Sequence, residues 1–223
     1  ANDYSGISVS LSADGMIVAI GARANDDGPD DNSGSVSIYQ YNGTSWTQLS
    51  GDIDGEADAD WSGHSVSLSS DGTIVAIGAY YNDEGGNNSG HVRIYQYNGS
   101  SWSKLGDDID GEAAGDWSGY SVSLNSSGNI VAIGSPKNNG SKGHVRVYQY
   151  IGGAWDKLGD NIDGKATGDE SGYSVSLSAN GMIVAIGAPK NGDGAGNAGH
   201  VRVYAFTSGS WTQMGSDIDG ESA

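Results

Sequence analysis

The chain has no cysteine among its 223 residues, three prolines, one phenylalanine, and ten lysines and arginines against 28 aspartates and glutamates. Without cysteine there is no disulfide, no thiolate metal site and no cysteine nucleophile. A formal net charge of −18 opposes binding to phosphate backbones and anionic lipid, so no nucleic-acid partner is expected. No apolar run approaches the roughly 18 residues of a spanning helix, so membrane insertion is not expected either. The chain starts at Ala1 with no methionine or signal-like stretch, which reads as a processed or excised piece. Glycine is abundant, at 38 residues, but without a G-x-y period and with so little proline it does not make collagen.

What is present is one unit written four times. SVSLSADGMIVAIGA, SVSLSSDGTIVAIGA, SVSLNSSGNIVAIGS and SVSLSANGMIVAIGA begin at Ser8, Ser65, Ser121 and Ser174. Each is followed by a second string (SVSIYQY, HVRIYQY, HVRVYQY, HVRVYAF) and then by Trp46, Trp102, Trp155 or Trp211. Within a unit, four short segments alternate apolar and polar residues and are rich in β-branched side chains, the pattern of strands. In the second unit these are Ser65–Leu68, Thr73–Ile77, His91–Tyr97 and Ser101–Leu105, with Asp71-Gly72 and Asn98-Gly99 placed for hairpin turns. No segment carries a helical period. The fold class is therefore all-β: a β-propeller built from four four-stranded antiparallel blades, at about 1–57, 58–113, 114–166 and 167–223.

Valines 9, 66, 122 and 175 mark one position, at spacings of 57, 56 and 53. Twelve residues always separate that valine from Gly21, Gly78, Gly134 or Gly187, and twenty separate each tryptophan from the next unit's valine. All length variation thus falls between strands two and three, where a rigid scaffold would carry a binding loop or tolerate drift. The final DIDGESA, read on into NDYSG, regenerates a linker, so the units either close a ring or meet end to end in self-association.

Gly172-Tyr173-Ser174-Val175, Gly187-Ala188-Pro189 and Gly199-His200-Val201-Arg202-Val203-Tyr204 resemble the FG-GAP repeats of integrin α-subunit-type propellers. The resemblance implies propeller blades and an adhesive, extracellular or cell-surface setting. The chain departs from that family in two respects. The motif phenylalanine is Ser5, Ser62, Ser118 or Ser171, and tight turns such as Ser12-Ala13-Asp14-Gly15 replace the family's Asp-rich calcium loop. That metal site is not carried over.

The acidic linkers between units offer another cation site. Calcium takes roughly six to eight oxygens on flexible, glycine-rich backbone. One set is Asp52, Asp54, Glu56 and Asp60, a second Asp108, Asp110, Glu112 and Asp116, and a third Asp217, Asp219 and Glu221. In the remaining linker Lys165 takes the glutamate position and would repel a cation. Against calcium stands a structural role, in which Asp-Gly turns accept backbone N–H bonds without metal. No cofactor is required by this reading, and calcium is the one it would admit.

His91, His144 and His200 share one position, with Ser35 in the first unit; three histidines converging near an axis could bind a metal, but repeated positions are expected to share a structural duty, such as a hydrogen bond to the neighbouring blade. Arg93, Arg146 and Arg202 point to the same side and are expected to pair with linker aspartates. Trp46, Trp102, Trp155 and Trp211 read as blade packing. Trp61 and Trp117 lie in linkers, where Tyr4 and Glu170 stand in the other units. With Asp60 and Asp116 beside them, these rings are candidates for binding a protein or glycan partner. Glycosylation sequons occur at Asn42, Asn87, Asn98, Asn125 and Asn139, and count only for a secreted eukaryotic chain. No catalytic residues are assigned. The expectation is a non-catalytic adhesion or assembly module, with a lectin-type propeller as the alternative and a glycoside hydrolase third. An enzyme would require one asymmetric pocket that the other blades lack.

Overall fold

The computed structural model describes residues 3–26, 32–192 and 198–221. They form four antiparallel sheets in chain order. The first strands are Ser5–Leu11, Ser65–Leu68, Ser121–Leu124 and Ser174–Leu177. The second strands are Ile17–Ala22, Ile74–Ala79, Ile130–Ser135 and Ile183–Ala188. The third are Ser35–Tyr41, His91–Tyr97, His144–Ile151 and His200–Thr207, and the fourth Trp46–Gln48, Trp102–Lys104, Ala154–Lys157 and Ser210–Gln213. Each sheet is thus the expected four-stranded meander. The turn after each first strand is held locally: the Asp71 carboxylate accepts from the Thr73 N–H at 3.0 Å and from Ser69 Oγ at 2.6 Å.

The linkers hold more structure than expected. Ile53–Asp54, Ile109–Asp110, Ile162–Asp163 and Ile218–Asp219 pair again with the third strand, as in Ile53↔Val36 and Asp54↔Ser35. The fourth strand therefore bulges after its tryptophan and then resumes, which gives each sheet a fifth strand and a fourth ladder. The isoleucine is turned into the core and the aspartate away from it; Ile53, Ile109 and Ile162 are buried.

Three apolar clusters hold consecutive blades face to face. Ala19, Val36, Ile38 and Ile53 of the first blade meet Val66, Leu68, Val75 and Ile77 of the second, and the same columns meet at the next two junctions. Buried aliphatic side chains contribute about 1.5–3 kcal/mol each, so these faces dominate the stability. Polar bonds fix the register. Trp102, Trp155 and Trp211 donate their indole N–H to the carbonyls of Leu49, Leu105 and Leu158. A close approach does the same: a Cβ on Gly21, Gly78 or Gly134 would lie 2.0 Å from the carbonyl oxygen of Gly63, Gly119 or Gly172 in the next linker. Among the described residues no apolar cluster joins the fourth blade to the first.

Candidate functional site

Linkers and variable loops meet on one rim. After its short strand each linker turns and buries an aspartate whose carboxylate accepts from the loop beside it. Asp60 accepts from Asn82 Nδ2 at 2.9 Å, Asp116 from Asn138 at 3.0 Å and Asp169 from Asn191 at 3.0 Å. Asp116 and Asp169 also accept the N–H groups of Ala113 and Ala166. Asp60 and Asp116 are therefore committed inside the chain and are not offered to a partner. Burial raises the carboxyl of Asp60 despite these bonds.

The next residue, Tyr4, Trp61, Trp117 or Glu170, takes a left-handed backbone conformation in every unit. Its side chain joins a ladder along the rim. The Arg23 guanidinium lies over both Tyr4 and Trp61, at 5.1 and 4.6 Å. Tyr81 stands 4.6 Å from Trp61 and 5.7 Å from Trp117, and Lys137 lies 5.1 Å from the Trp117 ring. Lys137 and Lys190 both pair with the buried Glu170. The exchange of tryptophan for glutamate is thus matched by its neighbours, lysines replacing tyrosines. The rings pack on one another, and Tyr4 alone of the candidate rings is largely exposed.

The four-carboxylate sets expected within single linkers do not gather. Asp52 accepts from Ser37 Oγ and Gln48 Nε2 instead. What does gather comes from two consecutive linkers, a variable loop and a third strand: Glu56, Glu84, His91 and Asp108 each place a ligand-capable atom within 4.8 Å of the others. His91 is fully buried, and neither ring nitrogen has a hydrogen-bond partner. The expected histidine contact to a neighbouring blade is therefore not made by a hydrogen bond here. Burial, and then Arg93, hold its pKa down to about 4, so the imidazole is neutral and keeps a lone pair. Burial, and then the charges of Glu56 and Asp108, push the Glu84 carboxyl up. Two cations brace the outside: Arg93 ion-pairs with Glu56 at 3.2 Å and Lys104 with Asp108 at 2.8 Å. The arginines were expected on linker aspartates. They instead reach the main-chain carbonyls of Asp54, Asp110 and Asp163 and the hydroxyls of Ser62, Ser118 and Ser171.

The same position differs in every other blade. In the third, Asn161 replaces the second carboxylate and donates to Glu112, which lies 3.8 Å from His144. In the fourth, Lys165 ion-pairs with Asp217, 3.3 Å from His200. His200, Asp217 and Asp219 form a second, smaller cluster, which already has that lysine beside it. In the first blade Ser35 stands where the histidine would be. Among the described residues, three carboxylates meet a buried imidazole at one blade only. That asymmetry could be read in the column Glu56, Glu112, Lys165, Glu221; the meeting of Glu56 with Glu84 and Asp108 could not.

Of the remaining assignments, Asp54, Asp110 and Asp219 lie on the short linker strands. Glu221 is exposed. Asn42, Asn87 and Asn98 are exposed in turns or loops, and Asn139 is exposed in the short helical segment Asn138–Ser141 of the third variable loop. Asn125 is buried, its amide bonded to Ser127, Asn129 and the Ile130 N–H, where no glycan could be attached in the folded chain. The variable loops of the first and fourth units lie partly outside the described residues.

Comparison with known proteins agrees with the blades. The FG-GAP repeat model matches residues 1–39 and 52–95. No curated protein matches this chain. Among solved structures, a periplasmic gluconolactonase of Pseudomonas aeruginosa is similar at 16% identity and a TM-score of 0.65, over 97% of this chain and 58% of that one. A structure described as a 6-phosphogluconolactonase from Bacteroides uniformis is similar at 11% identity and a TM-score of 0.57, over 96% of this chain and 71% of that one. The β-propeller domain of the trilobed protease of Pyrococcus furiosus is similar at 13% identity and a TM-score of 0.53, over 93% and 56%. This chain thus spans less than two thirds of the gluconolactonase and of that propeller domain. At such identities the likeness shows the fold. It also overturns the expectation of a non-catalytic adhesion or assembly module, because the same run of blades occurs in proteins named as lactonases. No helix among the described residues is long and apolar enough to cross a membrane. Residues 1–39 and 52–95 match FG-GAP repeats, and the chain folds as four antiparallel blades of the β-propeller type.

Proposed function

We propose that this chain carries the site of a hydrolase that opens cyclic esters of polyhydroxy acids, with a divalent cation held by Glu56, His91 and Asp108. The observation that carries the reading is the asymmetric cluster: a neutral, unbonded, buried imidazole facing three carboxylates, which among the described residues no other blade assembles. The mixed nitrogen and oxygen donors suit zinc or manganese better than the calcium that all-oxygen linkers would favour. When bound, such an ion polarises a carbonyl oxygen and makes water more acidic. Arg93 and Lys104, each paired with one ligand carboxylate, orient those ligands from outside. Glu84 is exposed at the cluster and its carboxyl is raised, which fits a base that takes a proton from the attacking water. That water adds to the carbonyl carbon, the ring carbon–oxygen bond breaks, and the products are a carboxylate, a hydroxyl and one released proton. The likeness to lactonases supports the substrate class, and the periplasmic neighbour supports a setting outside the cytoplasm.

The test is a pH-stat assay of glucono-δ-lactone opening by metal-stripped protein, with zinc, manganese or calcium restored in turn. A metal-dependent rate above the spontaneous one, lost in Glu84→Gln, is expected. No acceleration with any of the three ions would remove the reading.

A further inference from the structure

The two end faces of the blade row are the two halves of the junction that the chain already forms three times internally. At each internal junction the leading blade offers an isoleucine from its linker strand, and Ile53, Ile109 and Ile162 are 6%, 4% and 4% exposed. The matching Ile218 of the fourth blade is 61% exposed, with Ile183, Val201 and Met214 bared beside it. The trailing blade offers its first strand. Val66 and Leu68 are 8% and 7% exposed, whereas Val9 and Leu11 of the first blade are 65% and 58%.

The polar fittings are bare in the same way. Trp102, Trp155 and Trp211 each donate to a carbonyl of the blade before, but among the described residues no such acceptor reaches the exposed Trp46. Ser8, Ser65 and Ser121 each donate to a linker carbonyl of the next blade (Gly63, Gly119 and Gly172), and among the described residues Ser174 has no such acceptor. The glycines mark the berth most plainly. Gly34, Gly90 and Gly143 each form a parallel bridge to Ser62, Ser118 or Ser171 in the following linker. For their counterpart Gly199, and for Gly187 beside it, the nearest atoms among the described residues belong to their own blade, Pro189 and Ser174. They line instead a cavity of about 320 Å³ together with Tyr173, His200 and Val201. At the other end Ser5 and Gly6, the counterparts of Ser62 and Gly63, are exposed, and nothing lies within 4 Å of a Cβ built on Gly6.

We infer that a second copy of this chain docks head to tail, its Ser5-Gly6 segment entering the Gly187–Gly199 cavity and its Val9–Leu11 face covering Ile183, Val201 and Ile218. Continuity with an existing interface identifies the occupant: every position the fourth blade leaves open is one the first blade fits, by the same residue types that meet inside the chain. The contact is heterologous, one face against a different face. It is also weaker than the internal junctions. The arginine that ties each internal linker to the trailing blade is Ser37 in the first blade, and the adjacent histidine is Ser35.

The experiment is sedimentation velocity of the full chain at micromolar concentration. A mass of at least two chains of 22.8 kDa is expected. Leu11→Glu and Ile218→Glu each change an exposed side chain of the monomer, so each should keep the native circular dichroism and melt. Each alone should sediment as one chain, and their equimolar mixture should return a species of two chains, because one intact junction remains. Ser37→Arg should tighten association at least several-fold. A one-chain mass for the wild type at every concentration overturns the inference and leaves these faces to other repeats of a longer protein. Single variants that associate like the wild type, or a mixture that does not recover, overturn it too.

Discussion

Trp155 donates its indole N–H to the carbonyl of Leu105 at 2.7 Å, across the boundary between two blades. Replacing it by phenylalanine keeps much of the ring packing but strands that carbonyl. The expected cost is about 1–2 kcal/mol, read as a lower urea midpoint with an unchanged slope. Trp46→Phe, at the position with no such acceptor, should leave the midpoint of the dilute single chain unmoved.

Gly134 approaches Gly172 so closely that an added Cβ would sit 2.0 Å from its carbonyl oxygen. Backbone cannot yield as a flexible side chain does, so Gly134→Ala should destabilise by about 1–3 kcal/mol. At Gly187 the one close atom an added Cβ meets is the Ser174 Oγ, at 2.4 Å, on a side chain that can rotate; the next nearest are at ordinary contact distance. Gly187→Ala should cost clearly less in thermal denaturation of the two variants side by side.

Asp116 is buried and accepts from both Ala113 N–H and Asn138 Nδ2, tying a linker to a variable loop. Asp116→Ala leaves both donors unmatched. The expected loss is about 1–3 kcal/mol, with faster amide exchange confined to residues 113 and 136–142. Exchange unchanged in that loop would show that the aspartate is not what holds it.

His64 is held at a pKa of about 4, first by burial and then by the Arg23 guanidinium, whose Nη1 lies 3.5 Å from Nδ1. The folded chain therefore binds this proton less readily than the unfolded chain, where the value is 6.5. The stabilising effect is fully present above pH 6.5 and is lost as pH falls towards 4, because the unfolded state takes up the proton first. His64→Phe should flatten the fall in stability between those limits by about 2–3 kcal/mol. Equal slopes for the two proteins would contradict the assignment.

The blades were legible in the sequence because valines alternate with serines at fixed spacing and Asp-Gly or Asn-Gly pairs fall between the strands. The resumed fourth strand was not, since two residues such as Ile53 and Asp54 are too short to show a period. The cluster was hidden for a related reason. Glu56 and Asp108 occupy different columns of successive linkers, and Glu84 sits in a loop that has no counterpart in register. Reading linkers one at a time placed Asp52 with Glu56, when the fold sends Asp52 to Ser37 and Gln48. The tryptophan-to-glutamate exchange at position 170 was legible, but its physical reason required seeing Lys137 and Lys190 close on it.

The central claim is that the second blade, and no other, completes a cation site around His91. Isothermal titration of zinc into metal-stripped protein tests it most directly. One ion per chain is expected, lost in His91→Ala and retained in His144→Ala. Binding that survives His91→Ala, or disappears equally in both variants, would contradict it.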